Sequence, residues 1–318
     1  MATHRFHRDQ DYILVDGKIQ IVDEFTGRVM PDRTWERGLH QMIEAKEACE
    51  ISGQRKTLAQ ITYQRFFSRY LLIAGMTGTG YEVRGELNRV YNLPIVPIPT
   101  HRKSRRERYP DLVFVNSADR WQKVADRAEE MAKKNRCVLI GTRSVEASEH
   151  LSQIFNAQNI QHSVLNARQD SDEASAISMA GQVGQITIAT NMAGRGTDIK
   201  LSEEARKNGG LHVILTEYHE SPRIDRQLFG RAARQGDPGS VEAIVALTDE
   251  LFQTYAPKLS SLAHLYTGKN NTRTFLFKIL VKYCQGKAEA QSRRVRLDTL
   301  RRDRKWRQAL GFIHSRGK

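Results

Sequence analysis

Apolar runs of strand length, spaced along residues 111–247, constrain this chain more than any other feature. They are LVFV (112–115), CVLIG (137–141), HSVL (162–165), ITIAT (186–190), LHVILT (211–216) and VEAIVAL (241–247). Amphipathic stretches of helical period separate most of them, as at 118–134, 144–157 and 222–234. A strand buried on both faces reads as a continuous apolar run, and parallel strands need a crossover of helix length. The pattern predicts an α/β fold, a parallel sheet with helices on both faces. Ligands bind such sheets at the carboxyl ends of the strands, so motifs that follow an apolar run are the candidates for chemistry.

The flanks read differently. Two β-rich runs, YILV (12–15) and KIQIV (18–22), flank Asp16-Gly17, a hairpin signal because both turn positions need positive φ. Residues 34–50 and 57–73 have helical character, and the second run gives way to a small-residue loop, AGMTGTG (74–80). Pro94, Pro97, Pro99 and Pro110 surround a run, 102–108, with five Lys/Arg against Glu107, which reads as a basic linker. Residues 258–318 read as helical, and 293–318 hold ten Lys/Arg against Asp298 and Asp303. With a net charge of +14 over 318 residues, these clusters point to anionic partners or to a solvated basic surface. No apolar run reaches the length of about 18 residues of a membrane-spanning helix. The opening MATHRFHRDQDY lacks an apolar signal core, so no secretory signal is expected. Cys49, Cys137 and Cys284 are far apart, which excludes a disulfide scaffold and a cysteine zinc site and fits a reducing cytosol. The histidines show no ligand spacing, so no metal site formed by protein ligands alone is expected.

Two segments carry chemistry. The first, IATNMAGRGTD (188–198), follows a buried-type strand. Gly194 and Gly196 let backbone approach a ligand, Arg195 can meet a phosphate, and Asp198 can bind a ribose hydroxyl or orient a metal-bound water. An ordinary glycine turn with a surface Arg–Asp pair reads equally well. The second, ESPRIDRQLFGRAARQG (220–236), opens with Ser221-Pro222, a good N-cap and N1 pair. A helix is expected to start there, and the i, i+4, i+7 spacing places Gln227, Arg231 and Arg234 on one of its faces. Two arginines one turn apart repel unless an anion lies between them or water solvates them. A phosphoryl chain would serve, one arginine acting as an arginine finger; a solvated face paired with Asp225 and Glu220 is the alternative.

The two segments occur in order after consecutive strands, a combination that resembles the second motor domain of the helicase-like ATPases. VDEFTGR (22–28), GLHQMIEAKE (38–47), TLAQITYQRFF (57–67), AGMTGT (74–79), VLNAR (164–168), TIATNMAGRGTDI (187–199), GGLHVILTEYHES (209–221) and RIDRQLFGRAARQGDPGS (223–240) narrow it. They resemble SecA, the bacterial preprotein-translocation ATPase, over about residues 8–256. The resemblance implies the end of the preprotein-crosslinking region (1–55), the last segment of a first motor domain (56–100), the linker (101–110), a second RecA-like motor domain (111–257) and a helical scaffold (258–318). It implies ATP as cofactor, contacted by Gly194, Arg195, Gly196 and Asp198. Arg231 becomes the arginine-finger candidate, with Arg234 and Gln227 beside it in the family's QLRGRxGRQGD motif. Gly75, Thr77 and Gly78 match a loop that couples the two motor domains. Ala233 and Pro222 depart from the family's usual Gly and Arg; at a helical position Ala is expected to be harmless or stabilising.

No G-x-x-x-x-G-K-[ST] occurs, so the phosphate cradle and the main Mg²⁺ ligands are expected from a first motor domain outside this chain. Val22-Asp23-Glu24 imitates an acidic motor motif but reads as structural. A fragment or split subunit is the expectation, with little activity alone and with exposed apolar surface over residues 1–100. The implied partners are unfolded preprotein, a SecY-type channel, anionic lipids and a separate N-terminal motor half or a second copy. The implied location is the cytoplasm, peripheral to the inner membrane. A nucleic-acid motor fragment is a second reading, though no aromatic-basic interleaving suggests base stacking and nucleic acid is an unlikely partner. A non-catalytic channel- or lipid-binding module is a third.

Overall fold

The computed structural model describes residues 6–8, 11–22, 29–30, 32–36, 38–53, 61–165, 177–190, 197–259 and 274–314. The hairpin forms as expected. Strands β1 (Tyr12–Val15) and β2 (Lys18–Val22) pair antiparallel across Asp16 and Gly17, at φ 51° and 73°. β3 (Val29–Met30) adds to β2. Helix α1 (Leu39–Lys46) lies against this sheet, shorter than the 34–50 run because Gly38, at φ 78°, starts it late. Tyr12, Ile19 and Ile43 form a small core with Trp35 packed against it. Helices α2 (Tyr63–Phe67) and α3 (Arg84–Tyr91) follow, so helix covers only part of the 57–73 run. Tyr63, Tyr70, Leu71, Leu72 and Met76 are exposed, as are Val96 and Ile98.

The main sheet is parallel and ordered β4-β10-β9-β6-β8-β7. Its strands are β4 (Arg105–Arg108), β5 (Leu112–Phe114), β6 (Val138–Thr142), β7 (Ser163–Leu165), β8 (Ile186–Thr190), β9 (Leu211–Leu215) and β10 (Pro238–Ala246). β4 and β5 share one edge: β4 pairs with the start of β10 and β5 with its end. The basic run 105–108 is thus an edge strand of the sheet, not a connection outside it. Four exposed charged residues suit an edge, since they discourage pairing with another chain.

Helices α4 (Ser117–Lys133) and α5 (Val145–Ala157) cover one face. Trp121, Val124, Ala128, Leu151 and Phe155 meet Val138, Ile140, Ile186, Ile188, Ile214 and Ile244 there. Burying a side chain of this size contributes about 1.5–3 kcal/mol. The alternate residues, Leu139, Val213, Leu215, Ala243 and Val245, face the other layer. That layer holds α6 (Glu203–Lys207), α7 (Pro222–Phe229), α8 (Glu250–Tyr255) and the first turns of α9 (Thr274–His314). The helix starts were legible: Asn116 and Ser144 accept the backbone N–H groups of Asp119 and Ala147 at 2.8 and 3.1 Å. Asn92, Asn135 and Asn159, all left-handed, end α3, α4 and α5. Among the described residues no helix is long and apolar enough to cross a membrane.

The stretch 222–234 is not one helix. α7 ends at Phe229, Ala233 is left-handed at φ 57° and ψ 42°, and a 3₁₀ turn, Arg234–Gly236, follows. Ala233 is therefore not at a helical position. An L side chain in the left-handed region costs about 1–2 kcal/mol, while glycine loses part of that gain to its freer unfolded chain. Ala233→Gly is expected to raise stability by about 0.5–1 kcal/mol, read as a higher urea midpoint at unchanged slope. A lower midpoint would refute the assignment.

Candidate functional site

A cavity of about 860 Å³ opens at the carboxyl ends of β6, β8 and β9, where Arg143, Thr190 and His219 line it. One wall is α7 and the turn after it. Gly141 in β6 lets α7 sit this low: a Cβ there would lie 2.2 Å from Leu228 Cδ2. Arg106, from edge strand β4, donates to the Phe229 carbonyl at 3.1 Å and satisfies an end of α7. The opposite wall is the loop Thr77–Thr79. Its Thr77 hydroxyl accepts the Thr79 N–H at 3.2 Å. Gln227 Nε2 donates to Thr79 Oγ1 across the cavity at 3.3 Å, and Arg226 pairs with Glu82.

Thr77, Gly78, Asp198, Gln227, Arg231 and Arg234 all line this cavity. Gly75 does not, and Gly194, Arg195 and Gly196 lie outside the described residues, as do Asp23 and Glu24. The two arginines reach the cavity from a turn rather than from a helix face. Arg231 follows directly on α7, its N–H donating to the Leu228 carbonyl at 3.0 Å. Arg234 Nη1 meets Asp198 Oδ1 at 2.8 Å, and its Nε donates to the Gly230 carbonyl at 3.0 Å. The anion beside this arginine is thus supplied by the protein, linking the two sequence segments directly. Asp225 and Glu220 do not pair with Arg231 or Arg234 in the described contacts. Asp225 accepts from His219 Nδ1 at 2.6 Å, and Glu220 lies 3.6 Å from Arg143.

Thr79, Arg106, Arg143 and His219 were not expected at the site. Thr79 lies in the small-residue loop 74–80, where the family resemblance marks only Gly75, Thr77 and Gly78, and Arg143 carries no signal in a single sequence. His219 sits two residues before Ser221-Pro222, so the helix start was its available cue. Ser221 itself does not cap α7; its hydroxyl donates to Glu289 of α9 at 2.7 Å. Among the lining residues Arg106, Arg143, Arg226, Arg231 and Arg234 outnumber the carboxylates Asp198 and Glu220. A concave surface of that balance can hold a polyanion.

A family model described as the SecA P-loop domain matches residues 103–208 and 200–265, and one described as the SecA preprotein cross-linking domain matches residues 1–44. Protein translocase subunit SecA 2 of Nitrosospira multiformis is 51% identical over 308 residues, covering 96% of this chain and 46% of that protein. The SecA 2 of Bordetella avium is 59% identical over 253 residues, 80% of this chain and 38% of that protein. The chain spans less than half the length of each of these relatives. Among solved structures, the E. coli DEAD-box protein SrmB bound to RraA aligns at 20% identity and TM-score 0.39, over 47% of this chain and 82% of that one.

Proposed function

We propose, since this chain belongs to the SecA family, that its cavity is one side of the ATP site of a protein translocase. The observation that carries the reading is the cavity itself, which gathers Asp198, Gln227, Arg231 and Arg234 from separate segments under an excess of arginine. Bound there, ATP would supply the chemistry of phosphoryl transfer to water. Arg231 would meet charge developing on the terminal phosphoryl group. Asp198, held by Arg234, would face the nucleotide, with Arg195 and the two glycines of its loop. Thr77 and Gly78 form the facing wall, where a change in the cavity would reach the preceding segment. The phosphate-binding loop and most Mg²⁺ ligands would come from a motor segment outside this sequence. The proposed partners are unfolded preprotein, a SecY-type channel and anionic lipids, and the proposed place is the cytoplasmic face of the inner membrane.

ATP turnover by the purified chain, alone and mixed with an N-terminal motor half of a related protein, tests the reading. Turnover is expected only in the mixture. Turnover by the chain alone would mean that the phosphate-binding loop has been missed. No turnover in either, from a folded chain, would leave the cavity a binding site without hydrolysis.

A further inference from the structure

Helix α9 touches the α7 wall of the cavity and, further along, helix α3, which follows the Thr77–Thr79 loop. On the α7 side, Gln285 Nε2 donates to Asp225 Oδ2 at 2.7 Å and to the His219 carbonyl at 2.9 Å. Asp225 Oδ1 in turn accepts the His219 backbone N–H at 3.0 Å and its Nδ1 at 2.6 Å. Gln285, Asp225 and His219 are all buried, so one carboxylate pins the start of α7, the loop before it and the helix together. One turn along, Glu289 accepts the Ser221 hydroxyl. Here α9 is seated on the main core by Phe277, Val281 and Cys284, and Ala288 is buried in the same stripe at helical spacing. On the other side Arg296 grips Glu86 of α3 with two bonds, at 2.8 and 2.9 Å. Arg65 lies 3.6 Å from Asp303 further out. These residues lie beyond the buried stripe, and the Arg296 side chain is 42% exposed. At 1.5 Å per residue the two attachments are about 16 Å apart along the helix.

The two attachments differ in what breaking them requires. Parting Gln285 from Asp225 leaves a buried carboxylate short of donors, whereas parting Arg296 from Glu86 exposes two charges to water, where ion pairs are weak and salt screens them. We propose that Gln285 is a positioning residue for the cavity. Through Asp225 it makes the His219–Phe229 wall and the first half of α9 one body, so that when the cavity opens the Thr77–Thr79 wall separates at the more exposed ties, Thr79 from Gln227, Glu82 from Arg226 and Glu86 from Arg296. The proposal rests on the cavity being the nucleotide site.

Hydrogen exchange on the full chain mixed with the N-terminal motor half, with and without MgATP, tests it. In the wild type MgATP is expected to slow exchange in residues 222–229 and 281–289 together, and also in residues 77–91. Gln285→Met keeps the bulk without the donor. It should bind MgATP within about threefold of wild type while residues 281–289 no longer follow the ligand. Arg296→Gln should keep that response and lose the one in residues 77–91. An equal response of 281–289 in Gln285→Met overturns the proposal. If the wild type in the mixture binds no MgATP, the reading of the cavity falls and the ligand-free proteins decide the joint. There Gln285→Met should speed exchange across 222–229 about tenfold and leave 145–157 unchanged. Unchanged rates in 222–229 overturn it. Should Gln285→Met not fold, Ser221→Ala removes only the bond to Glu289 and is expected to give about a two- to threefold increase there, with no increase counting against the joint.

Discussion

Arg231→Ala is expected to lower ATP turnover in the reconstituted mixture at least about 10³-fold while leaving KM within about threefold. An arginine that meets charge appearing only in the transition state contributes to kcat rather than to ground-state binding. Arg234 is placed differently. Its guanidinium spans Asp198 and the Gly230 carbonyl, so it shapes the turn that carries Arg231 and holds Asp198 at the cavity. Arg234→Ala is therefore expected to raise KM about tenfold and to lower kcat less than Arg231→Ala does. Steady-state kinetics of both variants in the same mixture separate the two roles. Equal losses confined to KM in both would remove Arg231 as the charge-stabilising group and leave the arginines a shared anion clamp.

The parallel sheet was legible because its strands are buried on both faces, and continuous apolar runs such as ITIAT at 186–190 survive in any context. The hairpin was legible because Asp16-Gly17 leaves the backbone few options. The 222–234 stretch misread for a physical reason: helical spacing of arginines carries no information about where hydrogen bonding stops. Gly230 and Gly236 were the available cues, and Ala233 in a left-handed position hid the third. The basic run 105–108 misread because an exposed edge strand has no apolar face to betray it. Family wording singles out Gln227, Arg231 and Arg234 in the second segment, which line the cavity, where spacing alone leaves their role open. What no segment could supply was the pairing across distance: Thr79 with Gln227, Asp198 with Arg234, Gln285 with Asp225. Each joins segments 36 or more residues apart in the chain, and only the packed sheet brings them together.

Arg120→Met is expected to destabilise the fold by about 3–5 kcal/mol at pH 8. Arg120 is buried at the carboxyl edge of the sheet, its Nη1 2.5 Å from Asp249 Oδ1 and 3.1 Å from Glu217 Oε1, its guanidinium carbon 4.0 Å from the centre of the Trp121 ring. Methionine fills the space but leaves two facing carboxylates without their shared cation. Burial pushes the Asp249 carboxyl up to about 7, and the charge of Glu217 adds to that against the pull of Arg120. A carboxyl whose folded pKa lies above its unfolded value takes up a proton on folding, so its penalty is complete above pH 7 and is relieved as pH falls through that value. Removing Arg120 raises Asp249 further, so the deficit of the variant should shrink between pH 8 and pH 5.5. The reduction reaches at most about 1.4 kcal/mol over this interval, because pH 8 lies about one unit above the wild-type value. His212, which burial holds below its ordinary value, loses stability over part of the same range, but it does so in both proteins and cancels in the difference. Urea unfolding of wild type and variant at the two pH values gives that difference directly. A deficit under about 1 kcal/mol, or one indifferent to pH, would mean that Arg120 acts through its packing on Trp121 rather than through its charge.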